Sequence, residues 1–254
     1  MINIFSLVAG IFITGVAAYL GSLMLSKKMA LAAGPLGHLT LPGIALALIY
    51  GFDITLGAFP FVILGIILIW LLEMKTKLPM EALTAIVFAS GVAIAFLFLP
   101  IDQAEAALVG DISKIGLEDM IFSICLSLLV FVMLIKAYSK IVLISISEDL
   151  AKVQKIDVKK YNFIYLTMIA IVVALGVKIV GGLLTAALVA IPAAASRNIS
   201  RNLFEYSFFG IFFGVLSCIL GIFLSQLYGL PAGVLIIIIN TAIFLITMIL
   251  KRGK

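Results

Sequence analysis

The side chains that could carry chemistry are few, and they sit inside apolar sequence. The chain has one histidine, His38, in 254 residues. It stands four residues before Pro42 in ALAAGPLGHLTLPGIALALIYG, which starts at Ala30. Proline has no N–H to bond the carbonyl four residues back. The sequence therefore predicts a kink at Pro42 and a freed carbonyl on His38 itself. An imidazole and a free carbonyl on one residue suit a stop on a cation path, since non-helical backbone at membrane depth is tolerated where it lines a cavity. An ionisable group within a span is a functional candidate by default. A second reading stands beside this one, in which His38 lies near an inner helix end and only hydrogen-bonds a neighbouring helix. Elsewhere the chemistry is missing. There is no G-x-x-x-x-G-K-[ST] loop, no H-E-x-x-H pair and no G-x-S-x-G. One histidine argues against a His-based triad or a multi-histidine metal centre. Cys125 and Cys218 lie in separate apolar runs and give no disulfide or zinc pattern. The expectation is a protein with no catalytic residue, no permanently bound cofactor and no ATPase of its own.

A second group of residues lies in SISEDLAKVQKIDVKK, the longest polar stretch. Ser145 and Glu148 have capping-box spacing, and Glu148 and Asp149 suit a helix N-terminus. Ile146, Leu150, Val153 and Ile156 make an apolar stripe, with Glu148, Lys152, Lys155 and Lys159 beside it. This predicts a short amphipathic helix over 145–160. Amphipathicity alone favours a helix resting on lipid headgroups; the alternative is a docking helix for a soluble partner. Two further features concern packing. GGLLTAALVAIPAAAS from Gly181 is rich in small residues and contains Pro192, a second predicted kink. Gly210, Gly214, Ser217 and Gly221 share one helix face, a pattern that lets helices approach closely in lipid.

The elements that must hold these residues follow from composition. With 65% hydrophobic and 11% charged residues and a mean hydropathy of +1.35, the chain lacks the polar surface of a water-soluble domain, which carries roughly 25% charge. Apolar runs occur at about 4–25, 30–50, 55–73, 79–100, 119–139, 162–177, 179–196, 206–228 and 231–250. Each is near the ~20 residues that cross a bilayer. The fold class is thus all-α, a polytopic membrane protein of about nine spans. Eight is the alternative, if 162–196 is a single span interrupted at Gly181-Gly182. Charge sets the direction. With the N-terminus outside and nine crossings, Lys27, Lys28, Lys75, Lys77, Lys136, Lys140, Lys152, Lys155, Lys159, Lys160, Arg197, Arg201, Lys251, Arg252 and Lys254 all fall on the cytoplasmic side. Only Lys114 and Lys178 stay outside, beside Asp53, Asp102, Glu105, Asp111, Glu118 and Asp119. Eight crossings would move Arg197, Arg201 and the basic tail outside, against the positive-inside rule. The C-terminus is then cytoplasmic. Lys27-Lys28 follow the first apolar run rather than precede it, so that run reads as a retained span, not a signal peptide. The net charge of +5 reports this topology and not a nucleic-acid partner.

Five blocks in order resemble the membrane subunits of ATP-binding-cassette importers for zinc, manganese and iron(II). Lys-Lys-Met and LGHLTLPGIAL resemble the family's basic turn and D-x-L-x-H-x-x-L-x-G segment. LVGDISKIGLEDM is similar to its F-G-D-I-L block and following acidic pair. ISISEDLAKVQKIDVKK looks like the loop that docks on the ATPase. VKIVGGLLTAALVAIPAAASR resembles V-G-x-L-L-x-x-A-L-L-x-I-P-A-A-x-A-R, and YGLPAGVLIIIIN the D-x-P-x-G-P turn into the last helix. Three positions depart from the pattern. Gly34 stands where the family has an Asp four residues before its histidine, Phe88-Ala89-Ser90 where zinc-type members can carry a further histidine, and Lys155 where glycine is usual.

The resemblance implies a type II importer fold over 1–254 as one permease domain, with 145–160 as its docking helix. It implies a multi-pass protein of the inner cell membrane that works as a homodimer with two cytoplasmic ATPase subunits and an extracytoplasmic metal-binding protein. ATP would be used by the partner, and a divalent metal ion would pass as cargo. Asp102, Glu105 and Asp111 would gather it at the outer mouth, and His38 would ligate it on the way. Glu148, Asp149, Leu150, Lys152, Val153 and Lys155 would meet the ATPase. Two rivals remain: the same fold carrying another small solute such as a metal chelate, which the missing Asp–His pair motivates, and a secondary transporter or membrane scaffold with no ATPase.

Overall fold

The structure is a computed structural model that describes residues 4–27, 37–51, 54–76, 78–98, 112, 115–182 and 184–250. Among these the regular elements are all helical. They are α1 (Ile4–Ser26), α2 (Leu41–Tyr50), α3 (Ile54–Lys75), α4 (Met80–Phe98), α5 (Leu117–Ile146), α6 (Glu148–Val153), α7 (Val158–Val180), α8 (Thr185–Ile199), α9 (Leu203–Tyr228) and α10 (Ala232–Ile249). Each of the nine apolar runs carries one of these helices, and α6 lies between runs. Six helices are long and apolar enough to cross a membrane: α1, α3, α5, α7, α9 and α10. Among the described residues α4 offers a shorter apolar helix over Met80–Ile94, and α2, α6 and α8 are no longer than that. Ten residues in α2 and 15 in α8 rise only about 15 and 22 Å at 1.5 Å per residue, less than a hydrocarbon core of roughly 30 Å.

The long apolar stretch 162–196 is broken where the sequence suggests. Gly181 ends α7 with φ +83°, a conformation that costs little only for glycine. Its N–H donates to the Val177 carbonyl, and Thr185 Oγ1, in the first turn of α8, donates back to the Gly181 carbonyl. Pro192 lies inside α8 as expected. Pro42 does not lie inside a helix. It occupies the first turn of α2, which begins at Leu41; there the missing N–H would have had no intrahelical partner anyway. The predicted kink at Pro42 is therefore replaced by a helix start.

Two helical groups meet across α7. In one, α2, α3 and α4 pack together; in the other, α1 is surrounded by α5, α8 and α9, and α10 packs on α8 and α9. The central helix α7 touches α1, α3, α5, α8 and α10, and most of its residues from Tyr165 to Val180 are buried. The glycine face of α9 works as the spacing predicts. Gly210 and Gly214 lie against α1, where a Cβ on Gly214 would sit 2.9 Å from both the Thr14 carbonyl oxygen and the Ala18 Cβ. Gly221 faces Ile236 of α10. Without a hydrophobic drive between helices in lipid, this close approach and its dispersion contacts hold the bundle.

Candidate functional site

His38 sits just before α2, where it and Gly37 have helical backbone and Leu39 and Thr40 make a turn. Two contacts fix that turn. A Cβ on Gly37 would lie 2.7 Å from the Gly182 carbonyl oxygen, so the segment presses on the α7–α8 break. Leu39 follows into a notch made by two glycines, its methyl groups 2.6 Å from the Cβ positions of Gly65 on α3 and Gly91 on α4. The imidazole meets Phe88 of α4 edge-on, ring centroids 5.5 Å apart, and has the Gly182 backbone as a hydrogen-bonding neighbour. Its Nδ1 is buried without a partner. A buried nitrogen with no bond is costly unless something else satisfies it, and an unprotonated imidazole nitrogen is an atom of the kind that can ligate a cation.

Beyond Leu39 the groove between α2, α3 and α4 opens into a cavity of about 370 Å³ lined by Pro42, Phe61, Leu64, Ile86 and Ser90 among others. Its lining is apolar apart from the Ser90 hydroxyl, too little to replace the hydration shell of a cation. Among the described residues no three His, Cys, Asp or Glu side chains come together. Asp102, Glu105 and Asp111, expected at the outer mouth, lie outside the described residues, as does Gly34.

The second candidate region is α6. Its helix covers six residues, not the whole of 145–160, because α5 continues to Ile146 and α7 begins at Val158. The cap is accordingly Ser147, whose hydroxyl accepts from the Leu150 N–H at 3.3 Å; Ser145 lies within α5 and donates to the Val142 carbonyl instead. The helix stops through a Schellman turn. The Lys155 N–H bonds the Lys152 carbonyl at 2.9 Å and the Ile156 N–H bonds the Ala151 carbonyl at 3.0 Å, which places Lys155 at φ +58°. That position favours glycine, so the family's preference there has a backbone cause. Ala151 is fully buried and anchors the helix, while Ile146, Leu150 and Val153 are 73%, 54% and 79% exposed. Lys152 stands 3.5 Å from Asp149 and 4.0 Å from Glu148. Both pairs are on the surface, where such pairs are worth about 0–1 kcal/mol. The outer face of α6 thus offers bare apolar side chains beside a mixed charge set.

Comparison with known proteins decides the class. The family described as the ABC 3 transport family matches residues 2–251. The chain belongs to that family. A "high-affinity zinc uptake system membrane protein ZnuB" from Haemophilus influenzae is 28% identical, over 98% of this chain and 97% of that protein. A "manganese transport system membrane protein MntC" from Listeria monocytogenes is 22% identical, over 98% and 91%. Among solved structures, PsaBC from Streptococcus pneumoniae in complex with Fab aligns with a TM-score of 0.81 at 24% identity, covering 95% of this chain and 89% of that one.

The resemblance read from the five sequence blocks is borne out by this ABC 3 match. So is the reading of the chain as a multi-pass helical membrane transport subunit. For an ABC 3 member, the two regions above sit on different parts of one helical framework: the His38 turn leans on α3, α4 and the α7–α8 break, and α6 joins α5 to α7. Sequence reasoning missed the notch that seats Leu39. Gly65 and Gly91 are isolated in their helices, so no local spacing marks them.

Proposed function

We propose that this chain is the membrane subunit of an ATP-driven importer that brings a divalent metal ion, zinc(II) or manganese(II), into the cytoplasm. The zinc and manganese systems named for its relatives support the cargo. The chain would cross the inner membrane nine times, N-terminus outside and C-terminus inside, as its lysines and arginines suggest. A second copy would complete the pathway, an extracytoplasmic protein would deliver the ion, and two ATPase subunits would bind inside and hydrolyse the ATP. The ion would pass the free Nδ1 of His38, with Asp102, Glu105 and Asp111 gathering it outside.

The observation that carries this reading is the outer face of α6. Apolar side chains as exposed as Leu150 and Val153, on a helix whose other face is pinned by Ala151, mark an interaction surface. With Glu148, Asp149, Lys152 and Lys155 around them they fit a protein partner in the cytosol. Lys152→Glu with Lys155→Glu is expected to abolish copurification of the ATPase; retention of the ATPase by that variant removes the docking role. His38→Ala is expected to reduce manganese(II) uptake in cells, and unchanged uptake takes His38 off the path.

A second reading, the same fold carrying a metal chelate or another small solute, is favoured by Gly34 in the place of the family's Asp. Proteoliposome uptake of free manganese(II) against a chelated form separates the two. A requirement for ATP in the same assay separates both from a secondary transporter.

A further inference from the structure

Where α6 hands over to α7, three polar side chains from three helices meet. Asn162, on the second turn of α7, is 5% exposed. Its Oδ1 accepts from Lys27 Nζ at 3.1 Å, and its Nδ2 donates to Glu73 Oε1 at 2.8 Å. Lys27 follows the last residue of α1, and Glu73 stands in the last turn of α3. The ammonium also lies over the ring of Tyr165, 4.7 Å from its centroid. Beside it Trp70 of α3 and Phe163 of α7 pack at 5.1 Å between centroids, a second contact between the same two helices. Burial pushes the pKa of Lys27 down, and the carboxylates of Glu73 and Glu148 push it back up. Glu148 is the first residue of α6, so one of those carboxylates belongs to the candidate docking helix.

The chemistry of the bridge is particular to an amide. A cation on one side needs an acceptor and a carboxylate on the other needs a donor; asparagine supplies both from one short, stiff side chain. Hydrogen bonds with charged partners are the stronger kind, and in a partly dry setting they join helices firmly. Asn162 is nine residues beyond the end of α6, and α7 is entered through the Asp157 cap, which accepts from the Lys160 N–H at 3.1 Å. A shift of α6 therefore moves the start of α7 and Asn162 with it. The receiving ends are well placed: α3 carries Gly65 of the Leu39 notch and packs on α2, while α1 runs through the centre of the other helical group.

We propose that Asn162 is a positioning residue for transport, tying the start of α7 to the ends of α1 and α3 so that motion imposed on α6 reaches α3, on which the His38 turn leans. This rests on the reading of α6 as the ATPase dock. The test uses the assembled permease–ATPase complex in proteoliposomes, with manganese(II) uptake and ATP hydrolysis read together. Asn162→Leu keeps the size and removes the amide. The ATPase is expected to copurify as with the wild type and hydrolysis to continue, while ions moved per ATP fall about tenfold, the size expected for losing hydrogen bonds to charged groups. Asn162→Gln, which keeps both amide functions, restores most of the coupling. Adding Glu73→Gln to Asn162→Leu produces no further loss, because both act through one bridge.

Wild-type uptake per ATP in Asn162→Leu overturns the proposal, as does an additive loss in the double variant. So does a proportional fall of hydrolysis and uptake, or loss of the ATPase, in both Asn162→Leu and the smaller Asn162→Ser, since those results describe a structural role. Failure of the dock itself is read separately: if Lys152→Glu with Lys155→Glu still holds the ATPase, the docking surface lies elsewhere, whatever Asn162 does.

Discussion

The crossing of α2 and α3 is close enough to give a sharp prediction. Gly43 and Gly57 face each other across it. A Cβ added to Gly43 would fall well inside the van der Waals radius of the Gly57 carbonyl oxygen, 2.5 Å from its carbonyl carbon and 2.9 Å from the Phe61 ring. A Cβ on Gly57 would meet the Gly43 carbonyl carbon at 2.9 Å and Ala47 Cβ at 3.0 Å. Carbon atoms settle at about 3.5–4.0 Å, so Gly43→Ala has to part the two backbones by roughly 1 Å at this point. Overpacking of this kind costs about 1–3 kcal/mol. For a chain of this size that is a fall in melting temperature of about 2–12 °C. Leu39 in its glycine notch ties the head of α2 to α3 and α4, so the same shift displaces His38 from Phe88 and should lower manganese(II) uptake as well. The assay is thermal unfolding of the detergent-solubilised protein, followed through Trp70, the single tryptophan. Gly116→Ala is the control. It adds a Cβ with nothing within 4 Å, and because Gly116 is the N-cap of α5 it should lose only the roughly 0.7 kcal/mol by which glycine outranks alanine there. A Gly43→Ala protein that melts with the Gly116→Ala control refutes the claim that these backbones touch.

Two further substitutions probe the loop that carries the proposed docking surface and the start of α9. Lys155→Gly should raise the melting temperature slightly. It releases about 1 kcal/mol of left-handed strain at φ +58°, partly offset by a more flexible unfolded chain; a drop contradicts the Schellman geometry. Asn202→Ala removes the side chain that accepts from the Glu205 N–H at 2.8 Å and should cost about 1 kcal/mol, with Asn202→Gly losing only a few tenths. Equal losses for the two, read by thermal unfolding, argue against the cap.

Much of this architecture is written in the sequence because the bilayer imposes a length and an apolar surface on each crossing. That is why each of the nine runs carries a helix, six of them among the described residues long and apolar enough to cross a membrane, and why Gly181, where φ turns positive, divides the one ambiguous stretch. The glycine face of α9 was legible for the same reason: a spacing of three and four is a property of one helix. Errors arose at ends. Ser145 and Ser147 both fit an N-cap, and only the continuation of α5 to Ile146 selects Ser147. Pro42 reads as a kink if the helix starts at Ala30 and as a first-turn residue when it starts at Leu41. Contacts between helices were not legible at all. Nothing near Gly65 or Gly91 announces Leu39, and Lys27, Glu73 and Asn162 are each unremarkable polar residues until α1, α3 and α7 bring them together.

ATP-driven import stands or falls on one reconstitution. The chain, its ATPase partner and the extracytoplasmic metal-binding protein are placed in proteoliposomes with the nucleotide on the face that carries α6, and manganese(II) accumulation is followed with a fluorescent reporter. Accumulation that needs hydrolysable ATP and stops with a non-hydrolysable analogue is the predicted result. Accumulation that proceeds at the same rate without ATP contradicts the account.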